Sequence, residues 1–286
     1  MKRTYLSSLR KQAKRGDSMT LATERWGYSY CSLRLGRVLW RGKGAILLSY
    51  RPQACVLPEF EPTQFAMFWV PGIEAIPLAP IYSSKNRIDF LVRLRGSTTR
   101  RIVEQPPTKA GIIGPMGRGF APKAKAILLV GGGTGIASLV PLARWASRNG
   151  AQVTLVYGAR TDNELAPIEM YLEDLESVKL VVATDDGSKG VKGTAIDALS
   201  TINVASFDFI VAAGPPAMIC ALYRLAGDRG LLDRLYASLE TLVRCGMGFC
   251  GSCMLPCTSS LLCREGPVFP GSMLDCWAER ECEPRQ

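Results

Sequence analysis

Four cysteines, Cys245, Cys250, Cys253 and Cys263, stand in the spacing C-x4-C-x2-C-x9-C. The first three reproduce a spacing with which thiolates hold a [2Fe–2S] cluster. Four sulfurs must converge on two irons, and the loop between them must carry backbone N–H groups up to the cluster. Bulky side chains would block that approach, and the intervening Gly246, Gly248, Gly251 and Ser252 are small. The competing chemistry is a structural zinc site. Such sites usually show two C-x2-C pairs, and this chain has one. Cys263 is the expected fourth ligand and requires the chain to reverse near Pro256 and Ser259-Ser260, with Cys257 as the spare.

The chain holds 10 cysteines and no histidine. Five of the cysteines lie between 245 and 263, which favours metal or redox chemistry over a disulfide framework. Cys31, Cys55 and Cys220 read as buried packing residues, and Cys276 and Cys282 as a candidate pair. Without histidine the commonest general base and metal ligand is missing, so no catalytic residue is assigned.

A second candidate is the run Gly131-Gly132-Gly133-Thr134-Gly135, at the end of the apolar stretch Ala126–Val130 and before a helical pattern over 137–148. A helix N-terminus presents free N–H groups and partial positive charge, which suits a pyrophosphate. The run departs from G-x-G-x-x-G. A second glycine-rich strand end, Ala212-Ala213-Gly214, adds weight, because both would lie along the carboxyl edge of a parallel sheet, where ligands bind.

The elements that must position these residues fall into blocks. From about 30 to 120, short apolar runs broken by Gly and Pro predict strands at 32–38, 45–50, 64–70, 87–94 and 110–113, and hence a small antiparallel barrel. From 124 strands and helices alternate: strands at 126–130, 153–157, 179–183 and 209–213, helices at 137–148, 168–175, 194–199 and 217–226. That alternation predicts a doubly wound parallel sheet. From 239 onward neither period holds, and the segment reads as a loop-dominated cysteine module. The expected division is a basic, disordered extension over 1–28, a barrel over 29–121, an α/β domain over 122–238 and a small cluster domain over 239–286.

With 286 residues, 47% hydrophobic and 21% charged, the chain has the composition of a soluble globular protein. Its apolar runs are too short to span a bilayer, and no signal peptide is visible, so a cytoplasmic location is expected. Of the formal charge of +10, a surplus of five lies in residues 1–26. A basic tail can bind nucleic acid, but a solvated extension is the favoured reading.

These pieces, in this order, resemble the ferredoxin-reductase superfamily, and most closely the electron-transfer subunits of dihydroorotate dehydrogenase B. The resemblance is carried by Ser238-Leu239-Glu240, by 245–253, by Cys263-Arg-Glu-Gly-Pro-Val-Phe269, and upstream by 68–77 and 114–120. It implies a flavin barrel, a nicotinamide domain and a fused [2Fe–2S] module. FAD contacts would fall on Ile76, Pro77, Leu78 and Ala79, on Leu91, Val92 and Arg93, and on Thr98 and Thr99. NAD contacts would fall on Gly131 to Gly135 and near Gly214. Many relatives have Arg-Pro-x-Ser where this chain has Ile76-Pro77-Leu78-Ala79, so Arg93, or Arg87 nearby, is expected to face the flavin pyrophosphate. The resemblance also implies an FMN-containing catalytic partner, a heterotetramer, and electron flow from dihydroorotate through FMN, [2Fe–2S] and FAD to NAD+ in pyrimidine biosynthesis. The alternative within the same architecture is an electron-input subunit of a hydrogenase or of another NAD(P)H:acceptor oxidoreductase. The alternative outside it is a zinc- or nucleic-acid-binding protein. Arg160 is noted as a residue that could meet the 2′-phosphate of NADP.

Overall fold

The structure, a computed structural model, describes residues 28–282. All but Tyr28 of the expected basic extension, and with it the nucleic-acid reading, lies outside the described residues. No described helix is long and apolar enough to cross a membrane.

The first sheet has seven strands: β1 (Ser29–Gly42), β2 (Ala45–Gln53), β3 (Phe65–Trp69), β4 (Ile76–Leu78), β5 (Pro80–Ser84), β6 (Arg87–Arg93) and β7 (Lys109–Met116). Their order is β4-β3-β7-β1-β2-β6-β5, all pairs being antiparallel, and β4 comes back against β6, so the sheet nearly closes into a barrel. Its core holds Leu33, Leu48, Tyr50, Phe68, Phe90 and Ile112, with Phe68 edge-on to both Tyr50 and Phe90. Strands β4 and β5 escaped the sequence reading because each is short and proline-bearing, with no alternation to detect. Thr98 and Thr99, expected as flavin contacts, lie in the first turn of the helix α1 (Ser97–Glu104).

The second sheet orders its strands β11-β10-β9-β8-β12-β13-β14. These are β8 (Ala126–Gly132), β9 (Gln152–Ala159), β10 (Val178–Thr184), β11 (Val191–Lys192), β12 (Phe209–Ala213), β13 (Leu235–Ser238) and β14 (Val268–Pro270). All pairs are parallel except β13–β14. The sequence runs outward from β8 through β9 and β10, then returns to place β12 on the other side of β8. That reversal makes a switch point at the carboxyl ends of β8 and β12. Strand β14 comes from beyond the cysteine hairpin, so the cysteine segment is built into the edge of this sheet. Helix α2 (Ile136–Arg148) buries Ile136, Leu139, Val140 and Ala143 on one face, as the 3.6 period requires, and packs between the sheet and β5 of the barrel. On the other face α3 (Pro216–Asp228) packs with α4 (Asp275–Glu281).

Two expected helices are single 3-10 turns. In 168–175 only Ile168–Tyr171 is helical. There the Arg144 guanidinium takes the Tyr171 carbonyl, and Leu175 N–H returns to Leu172 at i−3. In 194–199 the turn is Asp197–Thr201, and the Asp197 carboxylate accepts from the backbone and hydroxyl of Thr194, local bonds that compete with a helix.

Three disulfides replace the expected cysteine roles: Cys31–Cys55, Cys220–Cys282 and Cys257–Cys276. Their Cα atoms lie 5.5, 5.4 and 6.0 Å apart, inside the bonding range. Cys276 and Cys282 do not pair with each other. Six residues apart along helical backbone, they are separated by roughly 9 Å, too far for a bridge.

Candidate functional site

Cys245, Cys250, Cys253 and Cys263 are the four free cysteines among the described residues. Cys253 and Cys263 are brought side by side by a small hairpin. Leu262 N–H donates to the Cys253 carbonyl at 2.9 Å, Leu255 N–H to Ser260 at 2.9 Å, and Met254 bridges Leu261. This is the reversal the fourth ligand requires. Cys257, the spare, sits at the hairpin tip with φ 58° and is bonded away to Cys276 on α4.

The loop before the hairpin turns through Gly246, Gly248 and Gly251, with φ of 70°, 84° and 70°, where a side chain is disfavoured. Met247 N–H reaches Cys245 Sγ at 3.4 Å, and the Gly248 amide points at Cys263. The hydroxyl and amide of Ser252, then Cys245, hold the exposed Cys250 thiol down to about 6. Burial, then the neighbouring Cys253, pushes the Cys263 thiol up to about 12. Among the described residues no three His, Cys, Asp or Glu side chains gather round a single-ion position. Cys245 acts on both Cys250 and Cys263, and Cys253 on Cys263, so the four thiols face one another across the loop and the hairpin. Free thiols, amides aimed at sulfur and left-handed glycines therefore fit a [2Fe–2S] cluster.

The hairpin forms part of the wall of a cavity of about 430 Å³ between the two sheets, to which Val243, Leu262 and Pro267 contribute. The barrel supplies Ile76, Pro77, Leu78, Ala79, Leu91, Val92, Arg93 and Thr99, and the second sheet supplies Thr134, Gly135, Ala213 and Gly214. Most of the residues expected from sequence thus meet in one space. Its volume, its apolar lining and the presence of Arg93 and Arg95 suit a dinucleotide such as FAD. Arg93 lies on the wall and is paired with the buried Glu164 at 3.2 Å.

Several expected residues lie elsewhere. Arg87 is turned away from the cavity and donates from Nε to Asp89 at 2.9 Å; Asp89 also accepts from Tyr171 at 2.8 Å, joining the barrel to the 3-10 turn between β9 and β10. Arg87 is thereby removed as a flavin partner. Thr98 is not on the cavity wall, and its hydroxyl donates to Glu74 at 3.1 Å. Gly131, Gly132 and Gly133 are not on this wall either. A Cβ at Gly131 would meet Ile136, one at Gly132 would meet Met218 and Pro215, and one at Gly133 would meet Arg93. Gly131 and Gly132 thus admit the close approach of Ile136, Met218 and Pro215, and Gly133 takes the left-handed φ of 52° beside Arg93. Arg160 pairs with Glu164 at 3.2 Å.

The cavity also draws on residues the sequence reading did not single out: Thr63, Phe65, Arg95, Ser138, Thr241 and Leu262. For Arg95 a signal existed: it follows Arg93 by two, the spacing that keeps extended residues on one face. For the others the signal is absent, because they reach the cavity through tertiary packing.

Residues 240–275 match the family model described as the iron-sulfur cluster binding domain of dihydroorotate dehydrogenase B. The chain is 36% identical over 220 residues to a Pyrococcus furiosus protein named probable dihydroorotate dehydrogenase B (NAD(+)), electron transfer subunit, covering 76% of this chain and 82% of that protein. A protein of the same name from Archaeoglobus fulgidus is 37% identical over 214 residues, covering 74% and 87%. Among solved structures, one described as an NADH-dependent reduced ferredoxin-NADP oxidoreductase, studied for flavin-based electron bifurcation, superposes with TM-score 0.75 at 26% identity, covering 88% of this chain and 94% of that one.

Proposed function

The chain belongs to the family of dihydroorotate dehydrogenase B electron-transfer subunits, and from that premise we propose that it relays electrons between an FMN-containing catalytic partner and NAD+. The observation that carries the reading is the shared wall: the segment that carries the four free thiols also contributes Val243, Leu262 and Pro267 to the lining of the cavity.

When bound, FAD exchanges hydride with a nicotinamide and single electrons with an iron–sulfur centre, which is why it belongs between them. The residues of this chain bind and orient. Cys245, Cys250, Cys253 and Cys263 hold the cluster, and Met247, Gly248 and Ser252 direct amides at the sulfurs. Leu91 and Ile76 to Ala79 give the flavin an apolar bed. Arg93, together with Arg95, meets its pyrophosphate, and Thr99 lies beside them. Thr134, Gly135 and Gly214, at the switch point, take the nicotinamide dinucleotide. No side chain needs to move a proton on dihydroorotate, in keeping with a chain that has no histidine.

Around the hairpin Phe249 (81% exposed), Leu242 and Met254 face outward. Exposed apolar side chains beside the thiols support a docking face for the catalytic partner, in a heterotetramer. Three disulfides in a cytoplasmic protein of this role suit a hyperthermophilic host, where intracellular disulfides are common.

The test is anaerobic co-purification with the FMN-loaded catalytic subunit. Dihydroorotate should bleach the flavin and cluster bands, and added NAD+ should restore them. A second reading, electron input to another acceptor, is supported by the likeness to the ferredoxin-NADP oxidoreductase. It prevails if NADH or NADPH bleaches the bands while dihydroorotate with the loaded partner does not.

A further inference from the structure

A second, smaller cavity of about 230 Å³ opens on the outer wall of the barrel, lined by Gly36, Arg37, Ser49, Arg51 and Arg87. None of these residues lines the larger cavity. Three guanidinium groups share this small space, and the relay of electrons has no use for them.

Strand register builds the cluster. Arg34 stands directly opposite Arg51 on one side and Lys109 on the other, a row across β2, β1 and β7. The pairing of Tyr50 with Ile88 brings Arg51 to Arg87 at the start of β6. A register shift between Leu35 and Arg37 sets Arg37 opposite Ser49, and so turns it to the same outer face as Arg34 and Arg51. Like charges directly opposite one another in a sheet repel. Arg87 is neutralised by Asp89, the one acidic residue on β1, β2, β6 and β7. Arg34, Arg37, Arg51 and Lys109 are exposed and hold no ion pair and no side-chain hydrogen bond among the described residues.

Ser49 is an independent sign of a ligand. It is only 5% exposed, and its hydroxyl has no hydrogen-bond partner among the described residues. Of the unpartnered side-chain oxygens only that of Thr63 is sealed from solvent, so the Ser49 hydroxyl keeps accessible surface, on the cavity that it lines. Gly36 leaves room there: a Cβ would stand 3.3 Å from the Ser49 carbonyl and 3.9 Å from the Arg51 side chain.

We propose that this cavity is a binding site for the phosphate or pyrophosphate group of a small ligand, separate from the flavin and nicotinamide sites. The guanidinium groups of Arg37 and Arg51 donate charge-assisted hydrogen bonds to the phosphoryl oxygens, and the Ser49 hydroxyl donates a third. Arg87 stays with Asp89. The volume falls below the roughly 300 Å³ at which pockets begin to enclose a whole organic ligand, so any nucleoside attached to the phosphate stays outside. The anion also relieves the repulsion along the row.

The experiment titrates the full-length, cofactor-loaded protein at low salt with inorganic phosphate, pyrophosphate and uridine diphosphate, by calorimetry, with sodium acetate as the control anion. Arg37→Gln and Arg51→Gln should each bind pyrophosphate about tenfold more weakly. Both should melt no lower than wild type, because each removes a repelling charge, and weaker binding in an equally stable protein is not misfolding. Ser49→Ala leaves the charge unchanged and should bind about fivefold more weakly, the loss of one hydrogen bond. Arg280→Gln, on α4, should bind as wild type does. Tighter binding of uridine diphosphate than of pyrophosphate assigns the site to a nucleotide, and equal binding to the free anion; either sustains the shared chemistry. The proposal is overturned if none of the three phosphates binds, if acetate binds as tightly as they do, or if pyrophosphate binds the Arg37, Arg51 and Ser49 variants as it binds wild type.

Discussion

The hairpin and the cavity share a wall but are specified in opposite ways. The residues that frame the four thiols run from Val243 to Pro267, and their geometry is set by nearest neighbours: left-handed glycines, amides aimed at sulfur, one bridge from Met254 to Leu261. The cavity gathers residues from Thr63 to Pro267, from both sheets, and exists only where the barrel meets the parallel sheet. A site of the first kind can be read from spacing; one of the second kind must be assembled before it can be recognised.

Substitutions can break this contrast, and the largest effect belongs to the hairpin. Cys263→Ser should lose most of its iron and its brown colour, while Cys257→Ser, which cuts only the link to Cys276, keeps both; iron analysis after anaerobic purification decides, and the reverse result would move the fourth ligand to Cys257. Next comes the staple outside both sites. Replacing Cys220 and Cys282 together should lower stability by about 4 kcal/mol, since the bridge closes the longest of the three loops, with a separation of 62 against 24 and 19. Denaturant melts of the three double-serine variants should follow that order.

Asp89→Ala probes the cavity side. Asp89 is fully buried between Arg87 and Tyr171, and removing it strands a phenol and half of an ion pair, at about 3 kcal/mol. If the contrast holds, this variant weakens FAD binding and leaves the cluster spectrum in place. Gly246→Ala should do the opposite for about 2 kcal/mol, because a Cβ there meets Met116 and φ is 70°; circular dichroism in the visible region separates the two. The smallest effect is expected for Arg93→Gln, a tenfold loss of FAD affinity by titration, or about 1.4 kcal/mol.

The same contrast explains what the sequence disclosed. The ligand set was legible because cluster geometry imposes residue type and spacing within a few positions. The apolar strands and the two long helices were legible because burial imposes a period. Thr63 was not, since it reaches the cavity wall only once the strands have assembled. The pairing of Cys31 with Cys55 and of Cys220 with Cys282 was hidden for a related reason: nothing local links residues that meet only after folding. Arg87 and Arg93 look alike in sequence, six apart at the two ends of β6. One is claimed by Asp89 and the other lies on the cavity wall.

Strand β14 closes the edge of the second sheet after the chain has passed through the hairpin, so the thiols are strung between two neighbouring strands, β13 and β14, with no free end. The outermost strand of a sheet is the first to peel. Any heat or denaturant that frays this edge slackens the loop holding the metal before the barrel yields. Colour loss should therefore run ahead of global melting, making the pigment an optical gauge of one seam in the molecule.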